Sequence, residues 1–376
     1  MSGLYVHIPF CKSRCIYCGF YSTTDNSKRA EYIDCLCDEL RIRKDYQTDD
    51  VRTIYFGGGT PSLLLPKEIE KILNCIYKYY KVASGYGNEI TIECNPDDIT
   101  EDFASFISSS PINRISMGAQ SFSNKMLRFI NRRHSSEQIG EAVRRLRRAG
   151  INNISIDLMF GFPDEDIRLW TNDIAQVITL DVEHISAYSL MYEELTPLYK
   201  MLQAGKVKEC DEETYILMYN MLIDELQDKG YEHYEISNFA KPGFRSKHNS
   251  SYWQGIPYIG VGASAHSFNK TSRQWNISNL KQYMEQIKKG YIPAEIEYLS
   301  KDSQFDDTVM TGLRTREGVD LAMIKDTFGE EYYTFLNNEA QKHIRQNRLA
   351  ITDNHLHLTR EGLFISDSIM SDLMHV

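Results

Sequence analysis

Short apolar runs alternate with longer amphipathic stretches from the first residues of the chain to about residue 190. An apolar run of about four to eight residues is typical of a buried strand, and apolar residues three and four apart are typical of a helix that packs on a sheet. The pattern predicts strands at 4–8, 53–56, 89–93, 114–118, 153–158 and 184–189. It predicts helices at 28–46, 67–80, 101–109, 136–149 and 166–180. Pro66 suits the first turn of the second helix, and Gly150 suits the position just after the fourth.

Repeated strand–helix units predict an α/β fold with a parallel sheet and right-handed crossovers. Six such units indicate a partial (β/α)6 barrel of the TIM type rather than a complete barrel of eight strands. Beyond residue 190 the alternation fades, and from about residue 297 polar helices lead into a hairpin near 349–358. We therefore predict a partial barrel over 1–235, a post-barrel segment over 236–296, and a small, mostly helical C-terminal domain over 297–376 with a winged-helix-like layout.

Composition narrows the class of protein. The 376 residues are 42% hydrophobic and 25% charged, which is typical of a globular protein with a large core. The net charge of −10 argues against nucleic acid or an anionic membrane as the main partner. We find neither a membrane-spanning stretch nor a signal peptide in the sequence, and we expect a cytoplasmic protein. The eight cysteines are then expected to be thiols or metal ligands rather than disulfides.

Three cysteines lie close together just after the first predicted strand. They form the spacing C-x3-C-x2-C in the segment Cys11-Lys-Ser-Arg-Cys-Ile-Tyr-Cys18. Three thiolates can each bind one iron of a [4Fe–4S] cluster, which leaves the fourth iron open for chemistry. The alternative is a structural zinc site, but such a site usually needs four ligands, and the chain has no second C-x2-C or H-x3-H pair. The spacing therefore favours an iron–sulfur cluster.

The cysteine spacing, with an aromatic residue before the third cysteine, resembles the signature of the radical S-adenosylmethionine (SAM) superfamily. Further segments resemble the oxygen-independent coproporphyrinogen III oxidase-like family within it. They are Leu4-Tyr-Val-His-Ile-Pro-Phe-Cys11, Tyr55-Phe-Gly-Gly-Gly-Thr-Pro61, Ile115-Ser-Met-Gly-Ala-Gln-Ser-Phe122 and Ile156-Asp-Leu-Met-Phe-Gly-Phe-Pro163. The resemblance covers roughly the first two thirds of the chain. It implies that Cys11, Cys15 and Cys18 hold the cluster, and that the amino and carboxylate groups of SAM chelate its fourth iron.

Polar residues recur where the predicted strands end, and the active site of a parallel barrel forms at that edge. They are Gly57–Thr60, Glu93, Gln120, Asp157 and Tyr188. Each alone could equally well be structural, but their common position around one rim indicates a site. The resemblance implies SAM contacts from Tyr5, Tyr17, Gly58, Gly59, Thr60, Glu93, Gln120, Arg132 and Asp157.

The family contains two functional groups, and three features separate them. The coproporphyrinogen III dehydrogenases have an N-terminal extension, whereas the first strand here begins at Leu4. They continue the cluster loop with Cys-Gly-Cys, whereas Cys18 and Gly19 are followed here by Phe20. The heme chaperones (HemW) have an H-N-x-x-Y-W motif, which matches His248-Asn-Ser-Ser-Tyr-Trp253.

We therefore predict a heme chaperone that delivers heme to acceptor proteins such as respiratory enzymes, with coproporphyrinogen oxidation as the alternative function. His248 is the predicted iron ligand and Tyr252 and Trp253 a predicted apolar wall. Heme binding through His248 should weaken below about pH 6, where histidine protonates. Any reduction of the cluster needs an electron donor, and contact with a membrane is expected only through partners. Which reaction the SAM site performs stays open at this point.

Overall fold

The computed structural model describes residues 2–46, 49–83 and 87–375. The strands are β1 (Ser2–Ile8), β2 (Val51–Gly58), β3 (Glu89–Cys94), β4 (Arg114–Gln120), β5 (Ile154–Phe160), β6 (His184–Ser189), β7 (Glu232–Glu235), β8 (Asn238–Ala240), β9 (Tyr258–Val261), β10 (His266–Phe268), β11 (Ser272–Asn276), β12 (Ala294–Tyr298), β13 (Val319–Asp320), β14 (Leu349–Thr352) and β15 (His355–Leu358).

The helices connect these strands. They are α1 (Arg29–Ile42), α2 (Pro66–Tyr79), α3 (Glu101–Ser109), α4 (Asn124–Phe129), α5 (Ser136–Arg148), α6 (Ile167–Thr179), α7 (Pro197–Gln203), α8 (Glu212–Asp228), α9 (Lys247–Trp253), α10 (Leu280–Lys288), α11 (Lys301–Leu313), α12 (Leu321–Phe328), α13 (Glu330–Arg345), α14 (Arg360–Leu363) and α15 (Ser366–Asp372). Pro66 opens α2 and Gly150 has a φ of 84° after α5, as predicted. The first predicted helix was too long, because the chain turns after Ile42.

One large sheet carries the fold, with strand order β12-β11-β10-β9-β1-β2-β3-β4-β5-β6-β8-β7. Strands β1 to β6 are parallel and follow chain order, which confirms the predicted six-unit partial barrel. The sequence analysis missed a seventh parallel strand, β9, which pairs with the free edge of β1. Strands β7 and β8 at one end, and β10 to β12 at the other, extend the sheet in antiparallel fashion.

Side chains of the parallel strands alternate between the helices and the barrel interior. On β5, the side chains of Ile154, Ile156 and Leu158 are fully buried in the core that the strands share with the surrounding helices. The intervening Ser155 and Asp157 point the other way, into the barrel. The interior is therefore polar and aromatic, while the outer face of the strands supplies the hydrophobic core.

The C-terminal residues pack around a second core that contains Phe305, Val309 and Leu336. Their elements run in the order α11, β13, α12, α13, β14 and β15, with a three-stranded sheet in the order β13-β15-β14. The winged-helix-like layout of this unit stays a prediction. The unit contacts the barrel through an isolated bridge between Glu235 and Thr315. The boundaries after residues 235 and 296 stay predictions.

A buried carboxylate joins α1 to the antiparallel extension of the sheet. Glu39 is fully buried, and its oxygens accept hydrogen bonds from Arg43 Nε at 2.8 Å, Gly262 N at 2.7 Å, Asn276 Nδ2 at 2.7 Å and Tyr283 OH at 2.5 Å. Arg43 also donates to Asn276 Oδ1 at 2.8 Å. A buried charge of this kind is tolerated only when it is paired and hydrogen-bonded, so these partners depend on one another.

We expect the substitution Glu39→Ala to lower the free energy of unfolding by about 3–5 kcal/mol, because it leaves the buried Arg43 without its ionic partner. Chemical denaturation followed by circular dichroism measures the change. Asp38→Ala is the matched control on the same helix, since its pair with Arg41 is exposed and worth at most about 1 kcal/mol. Equal losses in the two variants would contradict the role assigned to Glu39.

Candidate functional site

The three cysteines lie on a loop that begins after β1 and is closed by backbone hydrogen bonds. Cys11 N donates to Thr23 O at 2.9 Å, and Thr23 N donates to Pro9 O at 2.7 Å. Cys11 is buried, Cys15 and Cys18 are partly exposed, and all three are free thiols. The loop thus carries three free thiols at the carboxyl end of the first strand.

Two side chains from other strand–loop units approach these sulfurs. Thr60 Oγ1 donates to Cys11 Sγ at 3.6 Å, and Arg132 Nη1 lies 3.7 Å from Cys15 Sγ. Burial raises the pKa of the Cys11 and Cys18 thiols, so the ionised form that binds metal needs positive charge nearby. Hydrogen bonds to the sulfurs are one means by which proteins tune iron–sulfur clusters.

The cysteine loop fits a cluster better than a single ion. Among the described residues, no three cysteine, histidine or acidic side chains converge tightly enough to hold one metal ion. A [4Fe–4S] cluster requires a wider arrangement of thiolates than a single metal ion does, because each thiolate binds a different iron. Gly59 packs tightly against the cysteine loop, because an added Cβ would lie 2.8 Å from the Phe10 carbonyl oxygen and 2.9 Å from Cys11 Sγ.

Asp98, which the sequence analysis did not select, ties three loops of this rim together. It ends a short 3-10 helix, Pro96–Asp98, after β3. Its carboxylate accepts from Lys12 Nζ at 2.7 Å, from Ser62 Oγ at 3.0 Å and from Arg133 Nη2 at 3.1 Å. These donors belong to the cysteine loop, the glycine loop and the segment that carries Arg132. In the sequence, the signal that could have pointed to Asp98 was the acidic pair in the Asn-Pro-Asp-Asp run after the third strand.

The glycine loop after β2 lies against Glu93. Gly58 has a φ of 114°, which favours glycine, and its N–H donates to Glu93 Oε2 at 3.1 Å. Tyr55 OH donates to Glu93 Oε1 at 2.9 Å. Burial, followed by the charge of Asp157, raises the pKa of Glu93 to about 7. His7, a second residue missed from sequence, lies under the loop, since a Cβ at Gly58 would come within 2.6 Å of its ring.

Strands β4 and β5, with the segment after α4, bring Gln120, Asp157 and Arg132 around Gly118. Arg132 Nη2 donates to the Gly118 carbonyl, and Gly118 pairs in register with Asp157. A Cβ at Gly118 would lie 2.8 Å from both Arg132 Nη2 and Gln120 Nε2, so a larger residue would displace them. The register shifts between Gly118 and Gln120, and Gln120 has a φ of 68°. Burial raises the pKa of Asp157, which Ser116 Oγ approaches at 3.4 Å.

These groups match the functional groups of SAM. Glu93 and Asp157 can accept from ribose hydroxyls or an ammonium, and the glycine backbone permits close approach. Arg132 can pair with a carboxylate, and its buried Nε has no hydrogen-bond partner in the described residues. Next to the cysteine loop, the rim therefore offers hydrogen-bond acceptors for the ammonium group of an amino acid and a donor for its carboxylate group.

Tyr5 and Tyr17, two of the predicted SAM contacts, lie at different depths in the barrel. Burial, and then the neighbouring Cys15, raise the pKa of Tyr17, which keeps its phenol neutral beside the cysteine loop. Tyr5 lies deeper in the barrel, where its hydroxyl is 3.1 Å from His7 Nδ1 and its ring centroid is 6.1 Å from that of Tyr55. Their contacts with SAM stay predictions, as do those of the other rim residues.

His248, Tyr252 and Trp253 lie on α9, at the opposite end of the barrel from the cysteines. His248 is only 1% exposed and fits between the amino ends of the strands. Its Nδ1 is 2.8 Å from Thr53 Oγ1, its Nε2 is 2.7 Å from Tyr252 OH, and its backbone N–H donates to Glu89 Oε1 at 2.9 Å. Helix α9 thus closes the barrel floor.

Known proteins resemble this chain over its whole length. A heme chaperone HemW from Lactococcus lactis is 32% identical over 374 residues, which are 99% of this chain and 97% of that protein. A heme chaperone HemW from Bacillus subtilis is 32% identical over 377 residues, 98% of each chain. The chain belongs to the heme chaperone HemW family.

Two family models match successive parts of this HemW-family chain. The Radical SAM superfamily model matches residues 5–173, and the HemN C-terminal domain model matches residues 299–365. Among solved structures, coproporphyrinogen III oxidase (HemN) from Escherichia coli, a radical SAM enzyme, has a TM-score of 0.86 at 21% identity and covers 99% of this chain and 90% of its own. The fold is therefore confirmed as the radical SAM type. Membership of the radical SAM superfamily implies a [4Fe–4S] cluster and SAM as cofactors.

Arg114 is a third buried residue that the sequence analysis missed. It is 1% exposed at the start of β4, and its Nε and Nη1 have no hydrogen-bond partner in the described residues. Its charge helps to lower the pKa of both His184 and His248, after burial. No sequence signal separated it from a surface arginine, because only the direction of β4 turns its side chain inward.

We expect wild-type protein prepared without oxygen to contain about four irons and four sulfides per chain, and a Cys11/Cys15/Cys18 triple alanine variant to contain almost none. Iron and sulfide analysis measures both. A Cys35/Cys75/Cys94 triple alanine variant, which removes cysteines away from the loop, should keep its iron. Iron at the wild-type level in the first variant would contradict the assignment.

SAM affinity should fall about tenfold between pH 8 and pH 6, because the positively charged cofactor favours the ionised form of Glu93, whose pKa is about 7. Calorimetric titration of the cluster-loaded protein across this range gives the profile. In Glu93→Gln, affinity should be lower at pH 8 and the pH dependence lost. An unchanged profile in Glu93→Gln would assign the titration to another group.

Proposed function

We propose that this protein binds heme and delivers it to acceptor proteins, on a radical SAM scaffold. The observation that supports this function is the 32% sequence identity to two proteins named heme chaperone HemW. The similarity extends along nearly the full chain and includes the C-terminal unit. The H-N-x-x-Y-W motif on α9 adds support, and its His248 and Tyr252 are joined by a hydrogen bond of 2.7 Å. The scaffold's cofactors would supply SAM-derived radical chemistry at the opposite end.

The predicted role of His248 as iron ligand stays a prediction, and the contacts of its ring set a condition on it. Both of its ring nitrogens are engaged, at 2.8 and 2.7 Å, and the ring centroid lies 5.0 Å from that of Tyr55. Burial, and then the charge of Arg114, lower the pKa of His248 to about 3. In this conformation, loss of heme binding below pH 6 through protonation of His248 is therefore not expected. Ligation by His248 would first require α9 to leave the floor.

Coproporphyrinogen oxidation is the second candidate, favoured by the similarity of the fold to that of HemN. One local feature argues against it. The dehydrogenase group continues the cluster loop with Cys-Gly-Cys, whereas Phe20 occupies the last position here and is 70% exposed. An exposed phenylalanine cannot replace a thiol in ligation or redox chemistry.

Partners and location are part of the same proposal. Respiratory enzymes are candidate heme acceptors, and an electron donor is needed if the cluster is reduced. A cytoplasmic location is supported by the eight cysteines, all of which are free thiols. None of the helices that the structure describes is long and apolar enough to cross a membrane. Any membrane contact would be through acceptor proteins.

The test combines two assays on anaerobically reconstituted protein. We expect heme titration to give one saturable site with a Soret spectrum distinct from that of free heme. We also expect no rescue of anaerobic growth in a strain that lacks coproporphyrinogen dehydrogenase, with the genuine dehydrogenase as positive control. Rescue at ordinary expression levels would favour the enzyme, and absence of saturable heme binding would overturn the chaperone.

A further inference from the structure

Two cysteines outside the cysteine loop lie on neighbouring helices, Cys37 on α1 and Cys75 on α2. Both helices connect parallel strands of the sheet and pack against each other, so they run in the same direction. Both thiols are free and partly exposed, whereas Cys35 on α1 is only 1% exposed and belongs to the core. Cys37 is therefore not on the side of α1 that covers the sheet.

Contacts along α1 and α2 determine which residues lie opposite each other. Lys71 on α2 pairs with Asp34 on α1. Further along, Tyr80 OH donates to the Leu40 carbonyl at 3.0 Å. The two cysteines lie between these contacts, three residues after Asp34 and four residues after Lys71. Because residues three or four apart share one face of a helix, both thiols lie along the seam between the helices.

The two thiols are close enough to interact. Cys37 Sγ lies 3.9 Å from the carbonyl oxygen of Lys71, one helical turn before Cys75. A helical side chain leans toward the start of its helix, so the thiol of Cys75 covers the same turn. Burial, and then the neighbouring Cys75 thiol, raise the pKa of the Cys37 thiol. Both sulfur atoms therefore lie at one place in the seam.

The surroundings of the pair favour reaction with a small oxidant. The thiolate is the reactive form of cysteine, and a nearby lysine stabilises it. The Lys71 side chain is 50% exposed, and its charge opposes the rise in the pKa of Cys37. Partial exposure gives a small molecule access to both sulfurs, whereas Cys94 is buried in the core. In a reducing compartment, a disulfide at such a place is transient and depends on the redox state.

We propose that Cys37 and Cys75 form a reversible disulfide by exchange with a low-molecular-weight disulfide such as oxidised glutathione. One protein thiolate attacks a sulfur of the reagent, which releases one small thiol and leaves a mixed disulfide on the protein. The other protein thiolate attacks the protein sulfur of that mixed disulfide and releases the second small thiol. The two cysteines lose two protons and two electrons, and the reagent gains both as it becomes two thiols.

This modification goes beyond heme delivery and does not depend on it. Helix α1 follows the cysteine loop and α2 follows the glycine loop, so the disulfide links the two helices that support these parts of the rim. A cross-link restricts the unfolded chain, and we expect the oxidised protein to unfold at a higher temperature than the reduced protein. The cluster cysteines take no part in the exchange, so the iron content should stay the same.

Peptide mapping of the full-length, cluster-loaded protein tests the proposal. The protein is incubated with oxidised glutathione in the absence of oxygen, denatured, alkylated at its remaining thiols and digested with trypsin without reduction. We expect peptides 30–41 and 72–78 to be joined in wild type and to separate on reduction. Peptide 30–41 contains both Cys35 and Cys37, so Cys35→Ala is the matched control for Cys37→Ala. The link should persist in the first variant and be lost in the second.

Thermal unfolding gives a second readout. Oxidation should raise the Tm of wild type and of Cys35→Ala, and it should leave the Tm of Cys37→Ala and Cys75→Ala unchanged. Cys210, a partly exposed cysteine away from the pair, should take up glutathione without forming an internal link.

Three results would overturn the proposal. They are a link that persists in Cys37→Ala, separate mixed disulfides on Cys37 and Cys75 without a link, and wild type in which both thiols are alkylated after exposure to excess oxidised glutathione. If Cys37→Ala folds poorly, which circular dichroism would reveal, Cys75→Ala decides between the outcomes, since it removes the other partner of the same disulfide.

Discussion

Polar groups that are withdrawn from water inside the barrel must find partners, and this constraint governs both ends of the molecule. An unpaired buried polar group costs roughly 1–3 kcal/mol, and a charge costs more. Glu93 meets the requirement with Tyr55 and the Gly58 N–H, and His248 meets it with Thr53 and Tyr252. Much of the interior thus consists of hydrogen-bonded pairs rather than an apolar core, while Arg114 keeps two nitrogens without a partner among the described residues.

The same constraint divides the barrel into two chemical regions. At the carboxyl rim the partners are incomplete: Arg132 Nε has none among the described residues, and burial keeps the pKa of Glu93 near 7. Groups in this condition gain most from a charged ligand, which suits the family's cofactors. At the floor, both ring nitrogens of His184 and of His248 have a hydrogen-bond partner, so the inner face of the floor is held together by its own contacts.

Different functional features lie at the two opposite ends of the barrel, which explains how a heme carrier can keep a radical SAM site. The cysteine loop and helix α9 are at opposite ends of the parallel strands, and Tyr55 contacts both the rim, through Glu93, and the floor, through His248. The C-terminal unit packs against the outside of this helix through the contact of Arg314 with Trp253. The cysteine loop and the H-N-x-x-Y-W motif therefore lie on different elements and at different ends of the barrel.

The sequence by itself determined the six strand–helix units, the three cysteines on one loop and the polar residues after the strands. These follow from local periodicity and from the rule that parallel strands end at one edge. Only the tertiary structure decided the place of β9, the inward turn of Arg114, the three-loop contact of Asp98 and the burial of His248. The physical reason is sequence distance: Thr53 and His248 are 195 positions apart, and their hydrogen bond exists only after the barrel has formed. A motif can name a histidine, but the groups that surround its nitrogens determine whether it is free to bind a ligand.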